Sequence, residues 1–160
     1  MTTPPLPLVV DLDDTLVRTD TLVESTVLLA TRAPLKFAAQ LPNLAKGRAA
    51  FKRGLADAAK LDCATLPYNP DILAFIEKCK AAGGHVWLVT AADGRIAHGV
   101  ADHLKLFDGV IASDGAHNLK GPNKAAALAE RFPNGFDYIG DAPADVAVWE
   151  KAQCPYVAGN

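Results

Sequence analysis

The chain has 160 residues, of which 50% are hydrophobic and 21% charged, and its formal net charge at pH 7 is −2. This size and composition are typical of one globular domain with a proper core, and no apolar run approaches the roughly 18 residues needed to span a bilayer. The N-terminus lacks the basic start and apolar stretch of a secretory signal, so we expect a soluble, cytoplasmic protein. Cys63, Cys79 and Cys154 show no paired metal spacing, which favours reduced thiols over a disulfide or a zinc site.

The first predicted element is a buried strand over residues 7–12 that ends in a group of carboxylates. Residues two apart on a strand share a face, so Asp11 and Asp13 should point the same way. Two carboxylates about 4 Å apart repel by roughly 1 to 4 kcal/mol unless a cation or a shared proton relieves them. The pattern therefore indicates a metal or acid–base site, or else a simple turn or helix cap formed by Asp13, Asp14 and Thr15.

The next stretch, residues 20–66, holds helical patterns with no strand between them, which predicts a helical cap inserted after the first strand. Pro34 suits a helix start, whereas Pro42 and Gly47 interrupt the helical run. The apolar residues of the run are spaced for a single helix face. These residues are Phe37, Leu41 and Leu44.

The predicted cap has a charge pattern that the overall balance conceals. No acidic residue lies between Ser25 and Ala56. The pattern is typical of a solvated helix face, and it also suits a surface for an anionic substrate, acidic lipid headgroups or a partner domain. Nucleic acid is disfavoured because the patch is short and holds few aromatic residues. The basic residues are Arg32, Lys36, Lys46, Arg48, Lys52 and Arg53.

Strands then alternate with helical patterns, which predicts a doubly wound parallel sheet of the α/β class, built from residues 1–19 and 67–160. Asn69 and Pro70 predict the start of a helix that Gly83 and Gly84 end. The five strands are predicted near 7–12, 85–90, 108–112, 136–140 and 155–158.

Chemically useful side chains follow the predicted strands. Thr90 ends the second strand, Lys120 precedes a glycine and a helical pattern, and Asp141 ends the fourth strand with Asp145 four residues further on. Ligands of open parallel sheets bind outside the carboxyl ends of the strands. These residues and Asp11 should therefore converge on one crevice.

Taken together, these motifs resemble those of the haloacid dehalogenase superfamily of aspartate-dependent phosphohydrolases. A narrower resemblance, through residues 66–70 and 118–121, is to the soluble domains fused ahead of membrane prenyltransferases of the quinone-biosynthesis type. Asp14 departs from the superfamily pattern, which more often has glycine at this position. The matching elements are Asp-x-Asp-x-Thr at Asp11, Asp13 and Thr15, the hydroxyl of Thr90, the lysine Lys120, and Gly140-Asp141 followed by Asp145.

The resemblance implies Mg²⁺-dependent hydrolysis of a small phosphomonoester through an aspartyl-phosphate intermediate. Asp11 would be the nucleophile and Asp13 the acid–base group. Thr90 and Lys120 would bind the phosphate, with Lys124 as the alternative lysine. The expected Mg²⁺ ligands are Asp11, Asp13 through its main-chain carbonyl, Asp141 and Asp145.

Two other functions use the same motifs. A phospho-receiver domain has an acid pair, a hydroxyl and a lysine on a doubly wound fold, but its lysine follows the hydroxyl on the last strand, and it has no place for the helical insert. The narrower resemblance and the basic insert also suit a weakly active regulatory or docking module for a membrane prenyltransferase domain. The intact motif set favours an active enzyme.

Overall fold

The structure is a computed structural model that describes residues 5–114, 117–141 and 143–159. At its centre lies a parallel sheet with the strand order β3-β2-β1-β4-β5. This arrangement confirms the predicted doubly wound, Rossmann-like α/β fold. The strands are β1 (Leu8–Asp11), β2 (Val86–Asp93), β3 (Gly109–Ser113), β4 (Asp137–Gly140) and β5 (Pro155–Val157).

Helices cover both faces of the sheet because successive side chains of each strand point to opposite sides. Leu8 and Val10 of β1 pack in one apolar cluster with α4 and α5, while Val9 packs in a second cluster with α6 and α7. The helices are α1 (Thr21–Arg32), α2 (Pro34–Ala38), α3 (Arg48–Ala59), α4 (Pro70–Ala81), α5 (Gly94–Leu104), α6 (Pro122–Arg131) and α7 (Val146–Trp149).

Strand β1 is central and wholly buried, which explains its unbroken apolar run. Val9 and Val10 are fully buried, and each such side chain contributes about 1.5 to 3 kcal/mol to folding. In the parallel register Asp11 lies opposite Val89, and Val10 lies opposite Ile139. The sheet thereby holds Asp11 at its carboxyl end, between the tips of β2 and β4.

Strand β2 runs further than the sequence predicted. It continues past Thr90 to Asp93, with a register shift against β3 between these two residues. Asp93 then caps α5 by accepting a hydrogen bond from the Arg95 backbone N–H, 3.1 Å away.

The start of α4 confirms the prediction from Asn69 and Pro70. The Asn69 side chain accepts a hydrogen bond from the Asp71 backbone N–H at 3.2 Å, and Pro70 occupies the first turn, where no N–H is needed. Gly83 follows the helix with a φ of 79°, a conformation that suits glycine.

The described structure has helical segments and no strand over residues 20–66, between β1 and α4, and this stretch is called the cap below. Pro34 begins α2, but the single apolar face predicted for Phe37, Leu41 and Leu44 is wrong. Phe37 belongs to α2, whereas the two leucines lie in a separate 3-10 helix, Leu41–Lys46, and are 45% and 53% exposed. Pro42 lies in the first turn of this second segment, where no N–H is needed.

None of the helices in the described ranges combines the length and the apolar character needed to cross a bilayer.

The boundaries of the two predicted units, 1–19 with 67–160 and 20–66, stay a prediction.

Candidate active site

A buried lysine lies between two buried carboxylates at the carboxyl end of the sheet. The Nζ atom of Lys124 donates hydrogen bonds to Asp11 Oδ1 at 2.9 Å and to Asp145 Oδ1 at 3.2 Å. The Tyr138 hydroxyl accepts from Lys124 at 3.1 Å and donates to Asp145 Oδ1 at 2.9 Å. These four side chains form a closed polar network in which each group has a partner of opposite character.

Local backbone geometry places Lys124. Gly121 has a φ of 56°, which favours glycine, and the chain then enters α6 at Pro122. Lys124 falls in the first turn of this helix, above the tip of β1, and only 3% of it is exposed. The sequence Lys-Gly-Pro-Asn-Lys thus delivers its second lysine, not its first, to Asp11.

Gly140 is needed for close packing beside Asp145. A Cβ atom at position 140 would lie 2.5 Å from Asp145 Oδ2 and 2.7 Å from Tyr138 Cε1. Any side chain there would displace the carboxylate that pairs with Lys124. This contact explains why glycine precedes Asp141 in the motif.

Three carboxylates meet where a cation would fit. One oxygen from each of Asp11, Asp141 and Asp145 lies within 4.8 Å of the others. Within the described part of the chain, the buried Asp141 Oδ1 has no hydrogen-bond partner. Hard cations such as Mg²⁺ take carboxylate oxygens as ligands, so this donor set fits the predicted metal. Asp141 and Asp145 do not share a helix, because Asp145 belongs to the 3-10 turn Pro143–Asp145.

The pKa values of these carboxyl groups reflect their burial without a cation. Burial raises the pKa of Asp11 to about 7, although Lys124 opposes the shift. Burial also raises the pKa of Asp141 to about 6, and repulsion from Asp14 and Asp145 adds to this. A bound cation would favour the ionised form of both groups.

Asp13 lines the same cavity as Asp11 but lies toward the cap. Its Oδ1 atom accepts a hydrogen bond from the Thr21 backbone N–H at 2.8 Å, at the start of α1. Burial raises the pKa of Asp13, and the bond from Thr21 acts in the opposite direction. A carboxyl group that holds its proton more tightly than usual suits an acid–base role. The metal contact predicted for its main-chain carbonyl stays a prediction.

Asp14 adds a further carboxylate to the wall of the cavity. Its backbone has a φ of 56°, in the left-handed region that glycine occupies without strain. Repulsion from the Asp14 carboxylate raises the pKa of Asp141.

The two residues predicted to bind phosphate occupy different positions. Thr90 is fully buried on the sheet face of Leu88, opposite to the face of Asp11, and its hydroxyl accepts from the Ala92 backbone N–H at 2.9 Å. Lys120 is exposed and lines the cavity, but Lys124 is the lysine that contacts Asp11. Phosphate binding by Thr90 and Lys120 stays a prediction.

The cap supplies cavity residues that the sequence analysis named only as members of a basic run. Lys52 of α3 donates to the Ala91 carbonyl at 2.8 Å and to Asn118 Oδ1 at 3.4 Å, and Arg48 also lines the cavity. An ion pair of 2.8 Å between Asp57 and Arg95 joins α3 to α5. The run of basic residues was visible in the sequence, but the charges alone do not tell which of these side chains face the cavity. Tyr138 and Asp93 were also missed, since each reads as an ordinary strand or cap residue.

We expect Lys124→Met to destabilise the metal-free protein by about 3 to 5 kcal/mol at pH 7.5, because it leaves buried carboxylates without their partner. Urea denaturation followed by circular dichroism measures this change. Lys120→Met is the matched control, and as an exposed substitution it should change stability by less than about 0.5 kcal/mol. Equal effects of the two substitutions would contradict the assignment of Lys124 as the buried partner of Asp11.

We expect metal-free Asp141→Asn to gain stability relative to the wild type as the pH rises. The raised pKa means that the native protein keeps a proton that the unfolded chain loses, so wild-type stability falls between about pH 4 and pH 6. The amide in Asp141→Asn cannot ionise, so this part of the fall in stability is absent from the variant. Urea denaturation in EDTA at pH 4.5, 5.5 and 7.5 measures the difference, and parallel pH profiles would show that Asp141 titrates normally.

Comparison with known proteins agrees with this geometry. The family model for haloacid dehalogenase-like hydrolases matches residues 8–150. The chain is 40% identical over 155 residues to an uncharacterized protein, y4nM, of Sinorhizobium fredii. This match covers 97% of the chain but 30% of the relative, so the chain spans less than a third of that protein's length.

Solved structures share the fold at low identity. A protein of unknown function from Bordetella pertussis Tohama I matches with a TM-score of 0.73 and 19% identity, covering 96% of this chain and 89% of that one. A substrate-bound phosphoserine phosphatase matches with a TM-score of 0.68 and 15% identity, covering 98% and 87%. With the match to the family model across the sheet and the carboxylate cluster, the chain belongs to the haloacid dehalogenase-like hydrolases.

Proposed function

We propose that this hydrolase is a Mg²⁺-dependent phosphatase that acts on a small phosphomonoester through an aspartyl-phosphate formed on Asp11. The observation that carries the proposal is the position of Asp11, held by Lys124 at the end of β1 beside Asp141 and Asp145. A carboxylate beside a lysine and two further acids is suited to covalent phosphoryl transfer.

Asp11 would attack phosphorus and displace the alcohol of the substrate. Lys124 fixes one carboxylate oxygen of Asp11 and supplies positive charge beside the transferred group. Preorganised charge of this kind stabilises a transition state without reorganisation during the reaction. Lys120 at the cavity wall and Thr90 near the tip of β2 are the proposed contacts for the phosphate oxygens.

Asp13 would protonate the departing alcohol and then take a proton from the attacking water. The bond from the Thr21 backbone N–H fixes its carboxyl group, and burial raises its pKa toward the range where a carboxylic acid can donate a proton. The same group acts in both half-reactions because water enters where the alcohol leaves.

Asp11, Asp141 and Asp145 would hold the Mg²⁺, together with the proposed main-chain carbonyl of Asp13. When bound, the ion offsets the repulsion between an anionic nucleophile and an anionic phosphate. The unpaired Oδ1 atom of Asp141 supports this assignment among the described residues.

The size of the cavity supports a small substrate. Its volume is about 130 Å³. An apolar cavity of about 150 Å³ holds benzene, so there is room for a phosphate group and a few further atoms. The free thiols of Cys63, Cys79 and Cys154 fit a reducing compartment, and we propose a cytoplasmic location for this activity.

A second candidate role is docking to an anionic membrane surface or to a membrane prenyltransferase domain through the basic cap. Apolar side chains on the cap support it, since Leu35 is 86% exposed and Val23 and Val27 are each 54% exposed. Lys36 neighbours Leu35, and interfacial binding combines apolar and cationic groups. The greater length of the relative leaves room for a partner domain in that protein.

We expect Asp11→Asn to abolish Mg²⁺-dependent hydrolysis of 4-nitrophenyl phosphate while the fold is retained. An amide cannot act as the nucleophile, and its shape is close to that of the carboxylate. Absorbance of the released nitrophenol measures turnover, and circular dichroism checks the fold. Beryllium fluoride should bind the wild type and not the variant. Substantial turnover by folded Asp11→Asn would contradict the proposed mechanism.

We expect Mg²⁺ to raise the thermal stability of the wild type and to raise that of Asp141→Ala much less. A ligand that binds only the native state stabilises by about 2.7 kcal/mol at a hundred times its Kd, and the variant loses one carboxylate ligand. Thermal denaturation across a MgCl₂ titration measures this shift. Glu150→Ala, on an exposed residue away from the cluster, is the control. Equal stabilisation of wild type and Asp141→Ala would place the metal elsewhere.

A further inference from the structure

Cationic side chains lie in two parts of the cavity wall. Lys124 lies deep in the cavity and is paired with Asp11 and Asp145. Toward the cap, Arg48, Lys52 and Lys120 line the same cavity. In the part of the chain that the structure describes, none of these three side chains forms an ion pair with a carboxylate.

Lys52 is held in place without being neutralised. Two of its three N–H donors face uncharged acceptors, the Ala91 carbonyl at 2.8 Å and Asn118 Oδ1 at 3.4 Å. Burial lowers the pKa of Lys52, and repulsion from Lys120 and Arg48 acts in the same direction, against attraction from Asp13 and Asp20. A partly buried ammonium with cationic neighbours is favoured by an added anion.

The nearby acids are engaged with backbone groups. Asp20 Oδ1 caps α1 by accepting from the Leu22 and Val23 backbone N–H groups at 2.8 and 3.2 Å. Asp13 Oδ1 accepts from the Thr21 backbone N–H at 2.8 Å. These bonds orient both carboxylates toward the start of α1, and neither lies in ion-pair contact with Lys52.

A hydroxyl group supplies an independent indication. Thr21 is fully buried and lines the cavity, yet its Oγ1 atom has no hydrogen-bond partner among the described residues. A buried hydroxyl without a partner loses hydrogen-bond energy unless a ligand completes it. Ser25, which lines the same wall, differs because its hydroxyl already donates to the Thr21 carbonyl at 2.7 Å.

We propose that Arg48, Lys52 and Thr21 form a second anion-binding subsite, so that the substrate carries a carboxylate or a second phosphate on the alcohol that is released. The inference rests on the proposed phosphatase function, in which the transferred phosphate sits at Asp11. Lys120 and Lys124 would serve that phosphate, which leaves Arg48 and Lys52 for the second group. The subsite would select substrates by the charge of the leaving alcohol.

The test compares ligands that differ in one group. Glycerol 2-phosphate and 2-phosphoglycerate differ only by a hydroxymethyl group against a carboxylate. Propane-1,3-diol monophosphate and its bisphosphate test a second phosphate in the same way. Isothermal titration calorimetry with Mg²⁺ in the Asp11→Asn background measures binding without turnover.

With an intact cap, we expect at least one anionic ligand to bind about tenfold tighter than its neutral analogue, as charge-assisted hydrogen bonds predict. Lys52→Gln keeps a donor for the Ala91 carbonyl but removes the charge, and it should abolish most of this preference. Thr21→Val should reduce it. Arg53→Gln is the matched control, because Arg53 is the exposed neighbour of Lys52 on the same helix and does not line the cavity.

Three results would overturn the subsite. In the first, both members of each ligand pair bind equally tightly. In the second, Lys52→Gln weakens neutral and anionic ligands by the same factor. In the third, Arg53→Gln loses the preference for anionic ligands as much as Lys52→Gln does. Failure of the proposed function is distinguishable, because the wild type would then hydrolyse none of the four esters. The binding preference would still decide whether the subsite exists.

Discussion

The buried contact of Lys124 with Asp11 and Asp145 is the constraint on which the site depends. It joins three separate parts of the chain, namely the tip of β1, the first turn of α6 and the segment after β4. Removing charged groups from water costs several kcal/mol for each ion, so the cluster persists only because geometry and hydrogen bonds are good. Tyr138 completes it, since its hydroxyl contacts both Lys124 and Asp145.

This contact also sets the electrostatic character of the cavity. One ammonium faces two carboxylates, and Asp141 and Asp14 add negative charge on the same side. Burial raises the pKa of Asp11 and of Asp141, and Lys124 acts in the opposite direction on both groups. The cap side adds the cations Arg48 and Lys52, beside the carboxyl groups of Asp13 and Asp20. A ligand that spans the cavity would meet the carboxylate cluster at one end and the proposed anion subsite at the other.

Much of the sheet could be predicted because short runs of neighbouring residues mark its strands. Apolar runs that end in Asp11 and Asp141 mark buried strands, and Asn69 with Pro70 marks the start of α4. The length of β2 was less predictable, since Ala91 and Ala92 favour helix over strand, and pairing with β3 extends the strand to Asp93.

The choice between the two lysines could not be made from sequence. Lys120 and Lys124 differ by four residues, and which one reaches Asp11 depends on the left-handed turn at Gly121 and the direction of α6. The role of Lys52 was hidden for a related reason. A run of basic residues gives the net charge of a helix, but the packing of α3 against β2 decides which side chain faces inward.

Asp14 has a consequence for engineering this protein. Its positive φ strains a residue with a side chain, so glycine is the replacement that most relieves the backbone, by roughly 1 kcal/mol. The same replacement would remove a carboxylate from the wall of the cavity. Selection for thermal stability alone would therefore favour loss of the Asp14 carboxylate from the cavity. At position 14, glycine would favour stability, whereas aspartate keeps the negative charge of the cavity.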